Sequence, residues 1–130
     1  MVSERPKDEL FRIASEHFAA GRWFEAHEEW EAMWHPLEGE EREFVQALIQ
    51  AAISLHHQSR GNRAGAWSLA QRVFTRMNGA TRNWHGVDRA AFLAAFDAAN
   101  GRFGRLDAVD ARGDAPMVVP TPFSLPTALD

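Results

Sequence analysis

The chain contains no cysteine and no tyrosine. Without thiols there can be no disulfides and no thiolate metal sites, so histidine and carboxylate side chains are the only strong metal ligands on offer. Long apolar runs are missing too. Nothing approaches the roughly 20 residues needed to span a bilayer, and the opening stretch MVSERPKDEL is charged, without the apolar core of a signal peptide. A cytoplasmic protein is the expectation. Positive charge is also not in excess: 14 basic against 18 acidic side chains give a formal net charge of −4. Such a chain has no general attraction for nucleic-acid phosphates or anionic membranes, so neither is expected as a partner. The sequence lacks a phosphate-binding glycine loop, a Gly-x-Ser-x-Gly elbow and the basic–aromatic pattern of RNA binders.

What is present is helical periodicity, with no sustained period-two alternation to suggest strands. The length of 130 residues, 45% hydrophobic and 25% charged, suits one soluble domain with one core. Five helices are expected, over about 6–20, 22–35, 40–60, 62–77 and 88–100. Gly21, Pro36, Gly61 and the Asn78-Gly79 pair mark the breaks, and Asn62 and Asp88 suit helix N-caps. The third helix, with FVQALIQAAISL, is apolar on most sides and therefore central. Four of the six prolines fall after residue 115, so residues 111–130 cannot be helical. The apolar Met117, Val118, Val119, Phe123 and Leu125 argue that this tail lies on the bundle as an extended strap, a disordered terminus being the alternative. The fold class is thus all-α: a compact up-and-down bundle at 1–110 with an extended tail at 111–130. A short bundle with apolar surface left over makes a homodimer one outcome to expect.

One segment stands apart. WFEAHEEWEAMW, residues 23–34, holds four glutamates, one histidine and three tryptophans. At about 100° per residue, Trp23, Ala26, His27, Trp30, Met33 and Trp34 share one arc, whereas Glu25, Glu28 and Glu29 lie opposite and form a solvated face. Glu31 falls inside the apolar arc, one turn after His27, at the spacing where helix side chains meet. A carboxylate turned inward needs a partner. The third helix offers Gln46, Gln50 and His57 along a narrow polar track.

These residues admit more than one chemistry. His27, Glu31 and His57, two imidazoles and a carboxylate, are a common set for a divalent transition metal with open positions (Zn, Mn, Ni or Fe), and a metal-dependent hydrolase would use it to acidify a bound water. Gln50, Trp30, Trp34 and Arg42 would surround such a site and orient its ligands or substrate. The alternative is a non-catalytic module in which the same groups form a buried hydrogen-bond network. A third reading is a small-molecule pocket lined by Trp23, Trp30 and Trp34. HExxH is absent, since position 31 is glutamate. His17 reads as a core-edge histidine, and His35 and His85, beside turns, read as exposed. LHHQSRGNRAGAWSLAQRVF has the small-residue spacing of a tetratricopeptide hairpin, but one unit falls short of the roughly three a solenoid needs.

His27, Glu31 and Trp34 fit the pattern HxxxExxW, and GRWFEAHEEWEAMW resembles the signature segment of the family of domains of unknown function numbered 309. ALIQAAISLHHQSRGNRAGA resembles that family's second block, in which a Leu-Ile-Gln helix ends in a histidine shortly before Arg-Gly-Asn. His57 is the matching histidine; tyrosine is more typical at the position of His56. The resemblance covers roughly residues 8–75. It implies a compact helical bundle from bacteria or archaea and a metal at the motif, without naming a reaction.

Overall fold

The structure is a computed structural model that describes residues 6–103 and 119–128. Five helices follow in chain order: α1 (Lys7–Ala19), α2 (Trp23–Trp34), α3 (Gly39–Ser59), α4 (Arg63–Asn78) and α5 (Arg89–Ala99). Each break has a local cause. Gly21 and Gly61 take left-handed backbone at φ 79° and 81°, where a Cβ is costly, and so stop α1 and α3. Asn62 caps α4 by accepting the Gly65 N–H at 3.0 Å, and Asp88 caps α5 by accepting that of Ala91 at 3.1 Å.

Consecutive helices pack on one another, with α3 between α2 and α4 and α1 against α2. The central position of α3 follows from its composition: Phe44, Val45, Ala47, Leu48, Ala51, Ala52 and Leu55 are buried around most of its circumference. Phe18, Trp30, Phe92 and Phe96 fill the remaining core, with Phe18 tilted on Trp30 at 5.6 Å. Where α3, α4 and the end of α5 meet, the core is polar. Asn100 Nδ2 donates to Ser54 Oγ at 2.8 Å, Ser54 donates to the Ala66 carbonyl at 2.6 Å, and Gln58 Nε2 donates to the Asn100 carbonyl at 3.1 Å.

Residues 119–128 run extended across the bundle. Phe123 sets its ring edge-on to Phe18 at 5.2 Å, Asp88 N–H donates to the Pro126 carbonyl at 2.9 Å, and Ala128 N–H donates to Gly86 at 2.7 Å. An isolated antiparallel bridge between Val87 and Thr127 completes the attachment, and no strand forms among the described residues. Leu125 also packs on the core, but Val119 points outward and is exposed. Met117, Val118 and the expected boundary near residue 110 lie outside the described residues. No helix among the described residues is long and apolar enough to cross a membrane.

Candidate functional site

On α2 the apolar arc is buried as the spacing requires: Trp23, Ala26, Trp30 and Met33 face the core. His27 and Glu31 sit at its rim. The histidine side chain is 18% exposed and the carboxylate 47% exposed, so Glu31 lies on the boundary between core and water and does not point inward. Its Oε2 stands 2.6 Å from His27 Nε2, and His27 Nδ1 lies 2.9 Å from the Phe24 carbonyl. Both ring nitrogens therefore face oxygen. Only the doubly protonated ring donates to both; with a single proton on Nδ1, the Nε2 lone pair faces the Glu31 oxygen.

The other expected site residues disperse. His57 turns to the α3–α4 junction, its Nδ1 3.3 Å from Asn62 Nδ2. Gln50 is buried but faces α4, where its Oε1 accepts from Arg76 Nε at 3.0 Å, and Arg76 also pairs with Glu43. Among the described residues Arg42 pairs with no acid, yet it does not stand free. Its guanidinium lies 4.0 Å over the Trp34 ring and donates to the Leu37 carbonyl at 3.3 Å, closing the α2–α3 turn. Trp30 is fully buried against Phe11 and Phe18. Among the described residues no three histidine, aspartate or glutamate side chains are placed to hold a metal ion. The set His27, Glu31 and His57 forms no such three-donor group, His57 being turned toward Asn62.

The imidazole that α3 does present to α2 is His56. Its ring lies 5.5 Å from that of Phe24, which in turn lies 5.0 Å from His27. Burial holds His56 below the ordinary histidine range, reinforced by the charges of Arg60 and His57 and opposed by Glu25. Phe24 itself is 44% exposed, an apolar ring standing out between two imidazoles. Beside it a cleft of about 470 Å³ opens between the start of α2 and the end of α3.

A model of a domain of unknown function, DUF309, matches residues 11–69. That match supports membership of the DUF309 family. The matched DUF309 segment runs from α1 into the first turns of α4, and so contains the His27–Glu31 pair, Phe24, His56 and His57 while leaving α5 and the strap outside. No curated protein and no solved structure matches the chain.

A second polar constellation escaped the sequence reading. Glu40, in the first turn of α3, accepts from Thr81 Oγ1 at 2.6 Å, from the Thr81 and Arg82 amides at 3.0 Å each, and from Trp84 Nε1 at 3.1 Å. Glu41 reaches Lys7 Nζ at 2.9 Å and His85 Nε2 at 2.8 Å. His85, expected on the surface, is half-buried with its ring stacked on Phe11. These groups bind the α4–α5 loop to the rest of the bundle.

Proposed function

We propose that the protein is a non-catalytic helical module that binds a ligand or partner through the face where the start of α2 meets the end of α3. The observation that carries this reading is the engagement of the candidate ligands. His27, His57, Gln50 and Arg42 each have a structural neighbour, and those neighbours lie in different parts of the bundle. What is exposed on the DUF309 segment is instead the ring of Phe24, beside a cleft. An apolar ring left in water on an otherwise charged helix face is the kind of residue that anchors a contact.

One observation favours a second reading, a divalent cation on His27 and Glu31. Metal-bound histidines regularly give their other ring N–H to a backbone carbonyl, as His27 Nδ1 can to Phe24. A metal-dependent hydrolase would further need donors that this face does not supply.

Thermal melts of protein purified without a histidine tag separate the two. Zinc, manganese, nickel and iron(II) are expected to leave the melting temperature unchanged in both the native chain and His27→Ala. A metal-dependent rise that His27→Ala abolishes would establish the cation reading in place of ours.

A further inference from the structure

Residues 119–128 lie on the bundle in the manner of a bound peptide. They are extended and belong to no helix or strand. Their main chain meets the loop between α4 and α5 at two points, Asp88 N–H donating to the Pro126 carbonyl at 2.9 Å and Ala128 N–H to that of Gly86 at 2.7 Å. Between these stands the antiparallel bridge of Val87 with Thr127. Such bonds read backbone alone, and any extended chain can make them.

Two side chains supply the selectivity. Phe123 sets its ring against Phe18 at 5.2 Å and Phe92 at 5.9 Å. Leu125, two residues on and so on the same side of an extended chain, packs on the core as well. Ser124 between them is exposed. Pro120, Pro122 and Pro126 have no amide hydrogen to satisfy and favour extended backbone before docking, which lowers the cost of ordering the segment. The groove is also not filled. A cleft of about 380 Å³ remains beside the strap, walled by Phe11, Ser15 and Ala19 of α1 and by residues 124–127; a segment fitted by packing alone leaves few such gaps.

Phe18 and Phe92 are fully buried, and Phe123 is part of what covers them. Lifting the strap thus bares an aromatic seat, whereas the packing of α1 on α2, α2 on α3 and α3 on α4 does not involve it. We propose that this groove is a peptide-binding site whose ligand is an extended segment of a partner protein. That segment carries an aromatic residue, any residue, an aliphatic residue and a proline in succession, and residues 119–128 occupy the site as the chain's own competitor. The proposal uses neither Phe24 nor His56, so it stands apart from the binding face described above. A tethered segment competes at an effective concentration in the millimolar range. A partner therefore enters when its segment fits better or when the strap is weakened.

The test is a titration of the full chain with a fluorescent peptide of the strap sequence, VPTPFSLPTA, read by anisotropy and by the Val87, Asp88 and Phe92 amide resonances. Phe123→Ala in the chain is expected to open the groove and bind the peptide saturably, at least about tenfold more tightly than the native chain does. Ala128→Pro removes only the bond to Gly86 and is expected to act in the same direction, which keeps the test valid if Phe123→Ala unfolds the chain. A peptide that keeps only the prolines, the phenylalanine and the leucine, APAPFALPAA, is expected to bind within about tenfold of the strap sequence. Replacing its phenylalanine by alanine abolishes binding. No saturation in either variant, equal affinity for the native chain and both variants, loss of binding with APAPFALPAA, or indifference to the phenylalanine would each overturn the proposal. A native chain that sediments as a dimer, and that Phe123→Ala turns into a monomer, would assign the groove to the strap of a second copy and overturn it as well.

Discussion

His85 Nε2 lies 2.8 Å from Glu41 Oε2 while the His85 imidazole stacks on Phe11 at 4.5 Å and 14°. The histidine adopts left-handed backbone at φ 54°, uncommon for a side chain of its size, and is held there by the Phe11 stack and the Glu41 carboxylate. Burial pulls its pKa below the ordinary histidine value, and the opposing pull of Glu41 does not cancel this.

The pH dependence follows from that sign. In the folded state His85 is harder to protonate than in the unfolded chain, so its contribution is complete above the unfolded value of 6.5 and declines as pH falls below it. His56 is shifted the same way and adds to the same window. Urea melts between pH 7.5 and 5 are expected to show falling stability, with a shallower slope in His85→Asn, asparagine being tolerant of left-handed backbone. A slope identical in the variant would show that His85 is solvated after all.

Glu40 governs a lower window. Its bond to Thr81 Oγ1, with the Trp84 indole and the Arg82 and Thr81 amides, outweighs desolvation and holds the carboxyl down to about 2 from an ordinary 4.5. A depressed carboxylate stabilises the fold above its unfolded value and stops doing so as pH falls through the folded one. Glu40→Gln is therefore expected to melt lower at pH 7, with the difference shrinking from pH 4.5 toward 2. Amide exchange should accelerate at Thr81 and Arg82 before it does in the α3 core. Unchanged exchange at those two amides would mean that the loop is held by its other contacts.

The buried polar junction should be costlier to disturb. Asn100 is fully buried and serves both Ser54 and Gln58. Asn100→Ala strands Gln58 Nε2 from one of its two acceptors and removes the donor to Ser54, a loss of about 2 kcal/mol by the usual cost of unmade buried hydrogen bonds. Denaturant melts measure it directly.

How much of this was legible beforehand depends on the range of the interaction. The helix boundaries were open to reading because Gly21, Gly61, Asn62 and Asp88 act on backbone within four residues of themselves. The meeting of His27 and Glu31 was equally local. The partners of Gln50 and Glu40 lie 26 and 41 or more residues away, and no spacing along one helix reports which neighbour it will face. Which of His56 and His57 turns to Phe24 was not legible for a related reason. Adjacent residues differ by about 100° around a helix, and only the rotation of α3 against α2 decides which imidazole is turned to Phe24.

The His27–Glu31 pair should matter little to stability. It joins two residues of one helix, and Glu31 is half in water, so the pair braces α2 without tying it to α3. A double-mutant cycle on His27→Ala and Glu31→Gln is expected to give a coupling of about 0.3–0.5 kcal/mol, in the range of surface i,i+4 pairs. A coupling above about 2 kcal/mol would instead place the two in a buried network of the kind described for structural ion pairs.

The strap offers the last test, because it crosses the α1–α2 turn close to the cleft. Gly21 is left-handed at φ 79°, and a Cβ there would come within 2.9 Å of Pro122 Cγ. Gly21→Ala thus combines backbone strain of about 1–2 kcal/mol with a collision that only movement of the strap relieves. Truncation before residue 119 removes the collision and leaves the strain, while also taking away the Phe123 contacts on Phe18 and Phe92. The cost of Gly21→Ala is therefore expected to be larger in the full chain than in the truncated one. Equal costs would mean that Pro122 does not press on this turn, and that the extended segment is held by its other contacts, Phe123, Leu125 and the Val87–Thr127 bridge among them.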